Sequence, residues 1–308
     1  MINLIAKSEV ISAIMQLLAL FKIIIMTILN SFIRGSKFIK FSAAFLLQNK
    51  DLLIFPFLSF IASIAFIGLC IVGGTLIYEW LSKMGQAGII MGILLLVIAY
   101  FVLSFIILYF TTSLYVCTLL RLSGKHASLK KGMVESAKKW KNLIGWSLLS
   151  TTVGFILQAL ESLNETIADI LSFFFGLSWA VASYFVLPIL ITENIGPIKA
   201  IKRGAMIFGK GWRKAISVNF VLSIFILSIW GLIALIIHFS SDVDFNLLTE
   251  KMTIGILSAV VVFTIIVGRV FNTIITSGLY LNLIKKESVL GLDQSLAETA
   301  FREKKEYR

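Results

Sequence analysis

Long apolar runs without a charge recur along most of this chain, and they limit what it can fold into. Six runs read as separate helices, at residues 52–78, 87–120, 142–160, 170–192, 215–241 and 252–284, the last interrupted by Arg269. About 20 apolar residues are needed to cross the roughly 30 Å hydrocarbon core of a bilayer. The composition agrees, since 58% of residues are hydrophobic and 14% charged, against about 45–50% and about 25% in soluble domains. The sequence therefore predicts an all-α integral membrane protein with six transmembrane helices.

Lys and Arg are concentrated in alternate connections between the predicted spans. They crowd the segments before the first, third and fifth spans, whereas the other connections hold only Lys83 and Lys251 beside several carboxylates. Cytoplasmic loops of membrane proteins are enriched in Lys and Arg, so we expect these basic segments and the C-terminus in the cytoplasm. We expect the cell (inner) membrane as the location. Topology also explains the net charge of +12, and we expect no nucleic-acid partner.

The basic segments before the first, third and fifth spans share one design. They begin at Ser36, Ser128 and Pro197, and each runs directly into a span. In the second and third, apolar residues recur at helical spacing and basic residues fill the positions between them. The apolar stripes are Leu129, Met133, Ala137 and Trp140, and Ile198, Ile201, Ala205, Phe208 and Trp212. The pattern predicts three helical hairpins, each preceded by a basic amphipathic helix at the membrane interface.

Such helices place lysines among anionic headgroups, at roughly 1 kcal/mol for each basic residue near the surface. We therefore expect anionic lipids as partners, with a homo-oligomer or another membrane protein as further candidates. The residues expected to contact lipid are Lys130, Lys131, Lys138, Lys139, Trp140, Lys199, Lys202, Arg203 and Trp212.

The N-terminal apolar segment at residues 10–33 has two interpretations. Lys22 divides it into pieces too short to span alone. It is either a seventh span or a helix that lies on the membrane, and a start at Met26, with residues 1–25 outside the native product, is a further alternative. We divide the chain into an N-terminal extension at 1–35, a six-helix membrane domain at 36–286 and a polar cytoplasmic tail at 287–308.

Two motifs resemble a known family. They are FVLPILITENIGPIKAIKRGAMIFGKGW from Phe185 and KDLLIFPFLS from Lys50. In these the chain resembles an uncharacterised prokaryotic family of multi-pass membrane proteins, and over residues 36–290 it is similar in layout to the membrane-spanning domain attached to some glycerophosphodiester phosphodiesterases. The resemblance implies a role in lipid or envelope homeostasis. It implies no phosphodiesterase activity, because the separate catalytic domain has no counterpart in this sequence.

Arg269 is the charged residue within the sixth predicted span. Asn272, Thr273 and Thr276 follow it at helical spacing, so the four residues form one polar stripe that we expect to face other helices. Intramembrane charges are costly and commonly mark functional sites. Glu193 is the best candidate partner by depth. The arginine is either structural, snorkelling or paired with Glu193, or part of an anion or headgroup site.

Recognisable catalytic motifs are absent from the sequence. It contains no G-x-x-x-x-G-K-[ST], H-E-x-x-H or G-x-S-x-G pattern. We predict no catalytic residues, cofactor or metal, and no enzymatic activity. The leading hypothesis is a non-enzymatic membrane protein that binds anionic lipid through its interfacial helices and acts in envelope or lipid homeostasis. The alternative is a transporter or channel with an intramembrane polar site around Arg269.

Overall fold

The computed structural model describes residues 36, 39–162, 166–209, 223–224, 226–228, 230–231 and 247–285, and the regular structure in these residues is helical. A 3-10 turn at Lys50–Leu53 leads into the second helix, and a π-helical turn at Leu281–Lys285 follows the last. The helices are α1 (Ile39–Gln48), α2 (Ile54–Lys83), α3 (Gln86–Leu122), α4 (Leu129–Lys138), α5 (Trp140–Glu161), α6 (Thr166–Ser183), α7 (Val186–Thr192), α8 (197–209) and α9 (Leu247–Tyr280).

Five segments of the described chain are long and apolar enough to cross a membrane. They correspond to the first four predicted spans and the sixth. Their bounds are Lys50–Lys83, Gln86–Leu122, Trp140–Glu161, Ile170–Thr192 and Leu257–Tyr280. The fifth predicted span, at 215–241, lies almost wholly outside the described residues, as do the segment at 10–33 and the tail at 287–308.

The fourth span is broken near its basic end, between α6 and α7. Pro188 lies in the first turn of α7 and has no N–H to donate to the carbonyl of Tyr184, one turn earlier. Proline also clashes with that carbonyl in a continuous helix. The chain therefore leaves the helix at Tyr184 and Phe185 and starts α7 at Val186.

The long helices α2 and α3 pack against each other and leave most of their apolar surface uncovered. Gly85, with φ of 57°, turns the chain between them. The most apolar window of α3 contains no buried residue, and side chains such as Leu76 (78% exposed) and Leu96 (72% exposed) project outward. Apolar patches of this extent are rare on soluble monomers, so the surface is suited to contact with lipid.

The buried core lies at the end of the bundle that also holds α4 and α8. There α3, α7 and α9 contact one another in pairs, and the start of α2 joins them. Fully or nearly fully buried side chains of this core include Phe55, Leu114, Cys117, Leu122, Phe185, Ile189, Ile274, Leu279 and Tyr280.

Helix α4 packs against the bundle through small residues rather than through the predicted apolar stripe. Gly132 and Ser136 are its buried residues, and a Cβ on Gly132 would collide with the sulfur of Cys117 and lie 3.0 Å from the Ser113 carbonyl oxygen. Paired small residues one turn apart let helices in membranes approach closely. Of the predicted stripe, Leu129 and Met133 are half-buried against the core, while Ala137 and Trp140 are exposed.

The same arrangement recurs in α8. Ala200 and Gly204 are buried one turn apart, and a Cβ on Gly204 would lie 2.8 Å from the carbonyl oxygen of Ala182 in α6. Phe208 of the predicted stripe is buried, but Ile198 is 65% exposed. The buried faces of both helices are therefore rotated from the stripes that apolar spacing indicated.

Candidate functional site

The chain segments that carry α4 and α8 meet at one end of the bundle. Lys139 Nζ donates a hydrogen bond to Asn194 Oδ1 over 2.7 Å, which connects the α4–α5 junction to the α7–α8 loop. A Cβ on Gly145 would lie 3.1 Å from the Cγ of Pro197 at the start of α8. The C-terminal end of α4 therefore lies close to the loop that leads to α8, and α5 approaches the start of α8.

Lysines and apolar side chains are both exposed on α4, on α8 and at the start of α5, and we call this set the basic surface. Among its apolar members, Ile198 is 65% exposed and Trp140 is 52% exposed, with Lys141 Nζ 5.6 Å from the Trp140 ring centroid. The lysines of the basic surface are Lys130, Lys131, Lys138, Lys199 and Lys202, and its apolar side chains are Val134, Trp140, Ile198 and Met206.

Not every predicted lipid-contacting residue belongs to the basic surface. Lys139 is half-buried and bonded to Asn194, and Arg203 pairs with a carboxylate. Trp212 lies outside the described residues. Lys138 pairs with Glu135 at 2.7 Å, and this hydrogen bond holds the pKa of the Glu135 carboxyl below its usual range.

Glu193, which follows α7, is the centre of a polar network at this end of the bundle. Its Oε2 lies 3.3 Å from Arg203 Nε, and the Tyr280 hydroxyl donates to its Oε1 over 3.3 Å. The Tyr280 hydroxyl also forms a hydrogen bond with Thr192. The predicted pairing of Glu193 with Arg269 is not found. Arg269 lies roughly 16 Å before Tyr280 along α9, at about 1.5 Å per residue, which is out of reach.

The predicted polar stripe on α9 is divided between two surroundings. Thr273 and Thr276 are buried and interact with the hydroxyl of Tyr115 on α3, as helix-facing residues should. Arg269 and Asn272 are exposed instead. Thr273 donates to the Arg269 carbonyl over 2.9 Å, and Thr276 Oγ1 donates to Asn272 Oδ1 over 3.3 Å.

Arg269 lines a cavity of about 190 Å³ between α2, α3 and α9, which we call the α2–α3–α9 cavity. Ser59 and Ser63 from α2 and Thr111 from α3 line it too. No side chain of the described residues forms a hydrogen bond or ion pair with the Arg269 guanidinium. An arginine near the middle of a spanning helix costs roughly 2.5 to 3.5 kcal/mol on insertion scales, and no carboxylate of the described residues pairs with it.

Sequence reasoning missed a cluster around Arg121 at the end of α3. Its guanidinium bonds both carboxylate oxygens of Asp51, at 2.7 and 2.6 Å, and the side-chain oxygen of Asn49 at 3.0 Å. It also donates to the Ala127 carbonyl. The signal was the presence of one carboxylate, Asp51, within a segment that is otherwise basic. Among the described residues, no three His, Cys, Asp or Glu side chains are close enough together to hold a metal ion.

The apolar helices, their uncovered surfaces and the basic end together define a multi-pass α-helical membrane protein. Residues 90–293 match a family of unknown function (DUF6159), and because the match covers most of the chain, the protein belongs to this family. The matched region runs from α3 to beyond α9. No curated protein and no solved structure matches the chain.

Proposed function

We propose that this protein is non-enzymatic, that it binds anionic lipid through the basic surface, and that it acts in envelope or lipid homeostasis. The observation that carries the proposal is the joint exposure of lysines and apolar side chains on α4 and α8 and at the start of α5, which the Lys139–Asn194 hydrogen bond brings to the same end of the bundle. Trp140 and Ile198 can enter the acyl boundary while the lysines remain among headgroups.

The expected strength follows from the lysines that remain free to contact headgroups. At about 1 kcal/mol for each basic residue, the five lysines of the basic surface supply up to about 5 kcal/mol. Lys138 supplies less, because Glu135 already neutralises part of its charge. Lys139 and Arg203 are bonded within the protein and are not counted. We place the basic surface on the cytoplasmic side, on the distribution of Lys and Arg.

The test compares lipid retention between two charge variants. The protein is reconstituted in bilayers of equal phosphatidylglycerol and phosphatidylcholine, released, and its bound lipids are counted by native mass spectrometry. K130Q/K131Q/K138Q should lower the retained phosphatidylglycerol-to-phosphatidylcholine ratio by roughly tenfold or more, given about 1 kcal/mol for each lysine. K130R/K131R/K138R keeps the charge and should retain the preference.

A control at the far end of the bundle makes the result specific. Lys83, at the end of α2, is exposed and remote from the basic surface, so K83Q should leave the ratio unchanged. An unchanged ratio in the triple glutamine variant would rule the proposal out.

Transport through the membrane is a second candidate function, and the α2–α3–α9 cavity favours it. A charged side chain beside a cavity is a feature of substrate and ion pathways. A cysteine at Thr111, which lines the cavity and is half-buried, should then react with aqueous thiol reagents in a background lacking Cys70 and Cys117. Ser59, at 7% exposed, and Thr276, at 1%, are too buried for this test. If the Thr111 cysteine is unreactive from both sides of the membrane, a water-filled path at this place is excluded.

A further inference from the structure

We propose that the α2–α3–α9 cavity binds the anionic oxygen group of a lipid, a phosphate ester or a carboxylate carried on apolar chains. This site is separate from the basic surface and requires no transport. Its positive charge comes from Arg269, which has no partner among the described residues. A guanidinium offers several N–H donors in a planar fork that matches phosphate and carboxylate oxygens.

A buried hydroxyl in the same cavity adds a donor that has no partner within the protein. The Oγ of Ser63 is buried and forms no hydrogen bond in the described structure. Buried polar groups are nearly always hydrogen-bonded, so an unpaired one in a cavity wall points to a ligand or water there. Thr111 is different, because its hydroxyl already donates to the Ile107 carbonyl over 2.7 Å.

The charge of the cavity wall selects anions. None of the described lining residues is a carboxylate, so a cation would meet the Arg269 charge with nothing to offset it. The volume of about 190 Å³ corresponds to roughly six water molecules at about 30 Å³ each. That is room for one phosphate ester or carboxylate, while the chains of a lipid must lie outside.

Exposed apolar side chains beside the cavity favour a lipid over a free anion as its ligand. Two apolar residues of the lining are exposed, Phe60 at 38% and Ile265 at 54%, whereas Ser59 and Leu114 are buried. Leu114 of the cavity wall lies roughly 10 Å along α3 from Arg121, at about 1.5 Å per residue, so the cavity is about that far from the basic end of the bundle. The anionic group of a lipid can bind there while its apolar chains lie against the exposed apolar surface of α2 and α9.

The test uses the full chain purified in detergent, with phosphatidylglycerol as the probe and phosphatidylcholine as its uncharged-headgroup comparison. Native mass spectrometry should show one phosphatidylglycerol more on the wild type than on R269Q, beyond any lipid held by the basic surface. R269Q should lower its affinity about 10- to 100-fold, the usual range for a hydrogen bond to a charged group. S63A, which leaves the charge in place, should lower it roughly fivefold and serves as the second variant if R269Q does not fold.

Two further measurements distinguish a lipid ligand from a free anion, and the cavity from the basic surface. Inorganic phosphate that raises the melting temperature of the wild type and not of R269Q, with no lipid retained, would assign the same oxyanion site to a free anion. K130Q/K131Q/K138Q should keep the Arg269-dependent lipid, so failure of the basic-surface proposal leaves this one standing. Equal retention by the wild type, R269Q and S63A, without a phosphate effect, would overturn the proposal.

Discussion

Arg121 holds Asp51 in a two-pronged ion pair, with Nη1 2.7 Å from Oδ1 and Nη2 2.6 Å from Oδ2. The pair joins the end of α3 to the turn that begins α2. The same guanidinium bonds the Ala127 carbonyl, in the loop that leads to α4. Arg121 is only 15% exposed and Asp51 is 41% exposed, so the contact is partly shielded from solvent. One side chain therefore fixes three segments at the basic end of the bundle.

Replacing Arg121 by Gln should destabilise the protein by about 2 kcal/mol, because a hydrogen-bonded charge is removed and Asp51 is left unpaired. D51N should cost less, since Arg121 keeps its bonds to Asn49 and Ala127. Thermal unfolding in detergent, followed by circular dichroism, measures both. The exposed residue Lys125 gives the control K125Q, which should unfold like the wild type. Strictly additive effects of R121Q and D51N in the double variant would contradict the pairing.

Replacing Gly132 by Ala should loosen the packing of α4 on α3. The added methyl group would collide with Cys117 and lie 3.0 Å from the Ser113 carbonyl oxygen. Overpacking of this kind costs about 1 to 3 kcal/mol. C117A in the same chain should restore part of the loss, because it removes the sulfur. Thermal unfolding again provides the measurement.

The matched control for this prediction is Gly92, in α3. A Cβ there would have no neighbour within 4 Å, and Ala is a better helix former than Gly. G92A should therefore be as stable as the wild type or more so. A G132A protein with the stability of G92A would show that α4 does not pack against Cys117 as described.

The spans could be predicted from sequence, because a long uncharged run depends only on neighbouring residues. The helices at 87–120 and 142–160 were located within two residues at each end by that signal alone. The break at Tyr184 and Phe185 was not predicted, since residues 170–192 were read as one helix. Its local signal was Pro188, a residue that interrupts helices.

The packing of the basic helices could not be predicted in the same way. Apolar spacing marks the side chains that avoid water, but in α4 the closest contact is made by Gly132, which has no side chain. Close approach depends on the partner surface, here Ser113 and Cys117, and a single helix does not reveal its partner. The partner of Glu193 could not be predicted for the same reason. Depth along the membrane was known only coarsely, and Arg203 and Tyr280 were nearer than Arg269.

Replacing Tyr280 by Phe should cost about 1 kcal/mol. The ring stays buried, but Glu193 loses a donor, and Thr192 keeps only its hydrogen bond to the Pro188 carbonyl. E193Q should couple to it in a double-mutant cycle, since the two residues share a hydrogen bond. Chemical unfolding of the single and double variants measures the coupling energy. Tyr78 is 69% exposed, so the control variant Y78F should unfold like the wild type. A coupling energy of zero between Y280F and E193Q would contradict the network.

Substitutions of Asn194 can separate the contributions of its side chain and of its backbone conformation to stability. Its φ of 51° lies in the left-handed region, which costs most residues roughly 1 to 2 kcal/mol but is accessible to Gly and Asn. N194G should lose only the hydrogen bond from Lys139, about 0.5 to 1 kcal/mol. N194A should lose the bond and strain the backbone, for a total of about 2 kcal/mol.

Comparing the two variants separates backbone strain from the contact that joins α4 to the α7–α8 loop. K139M removes the same hydrogen bond from the other side and should match N194G in thermal unfolding. If N194A and N194G unfold at the same temperature, the left-handed backbone at Asn194 is not a constraint. If K139M and N194G both match the wild type, the hydrogen bond does not stabilise the connection between the α4–α5 junction and the α7–α8 loop, and the close approach of Gly145 in α5 to Pro197 becomes the better candidate for that role.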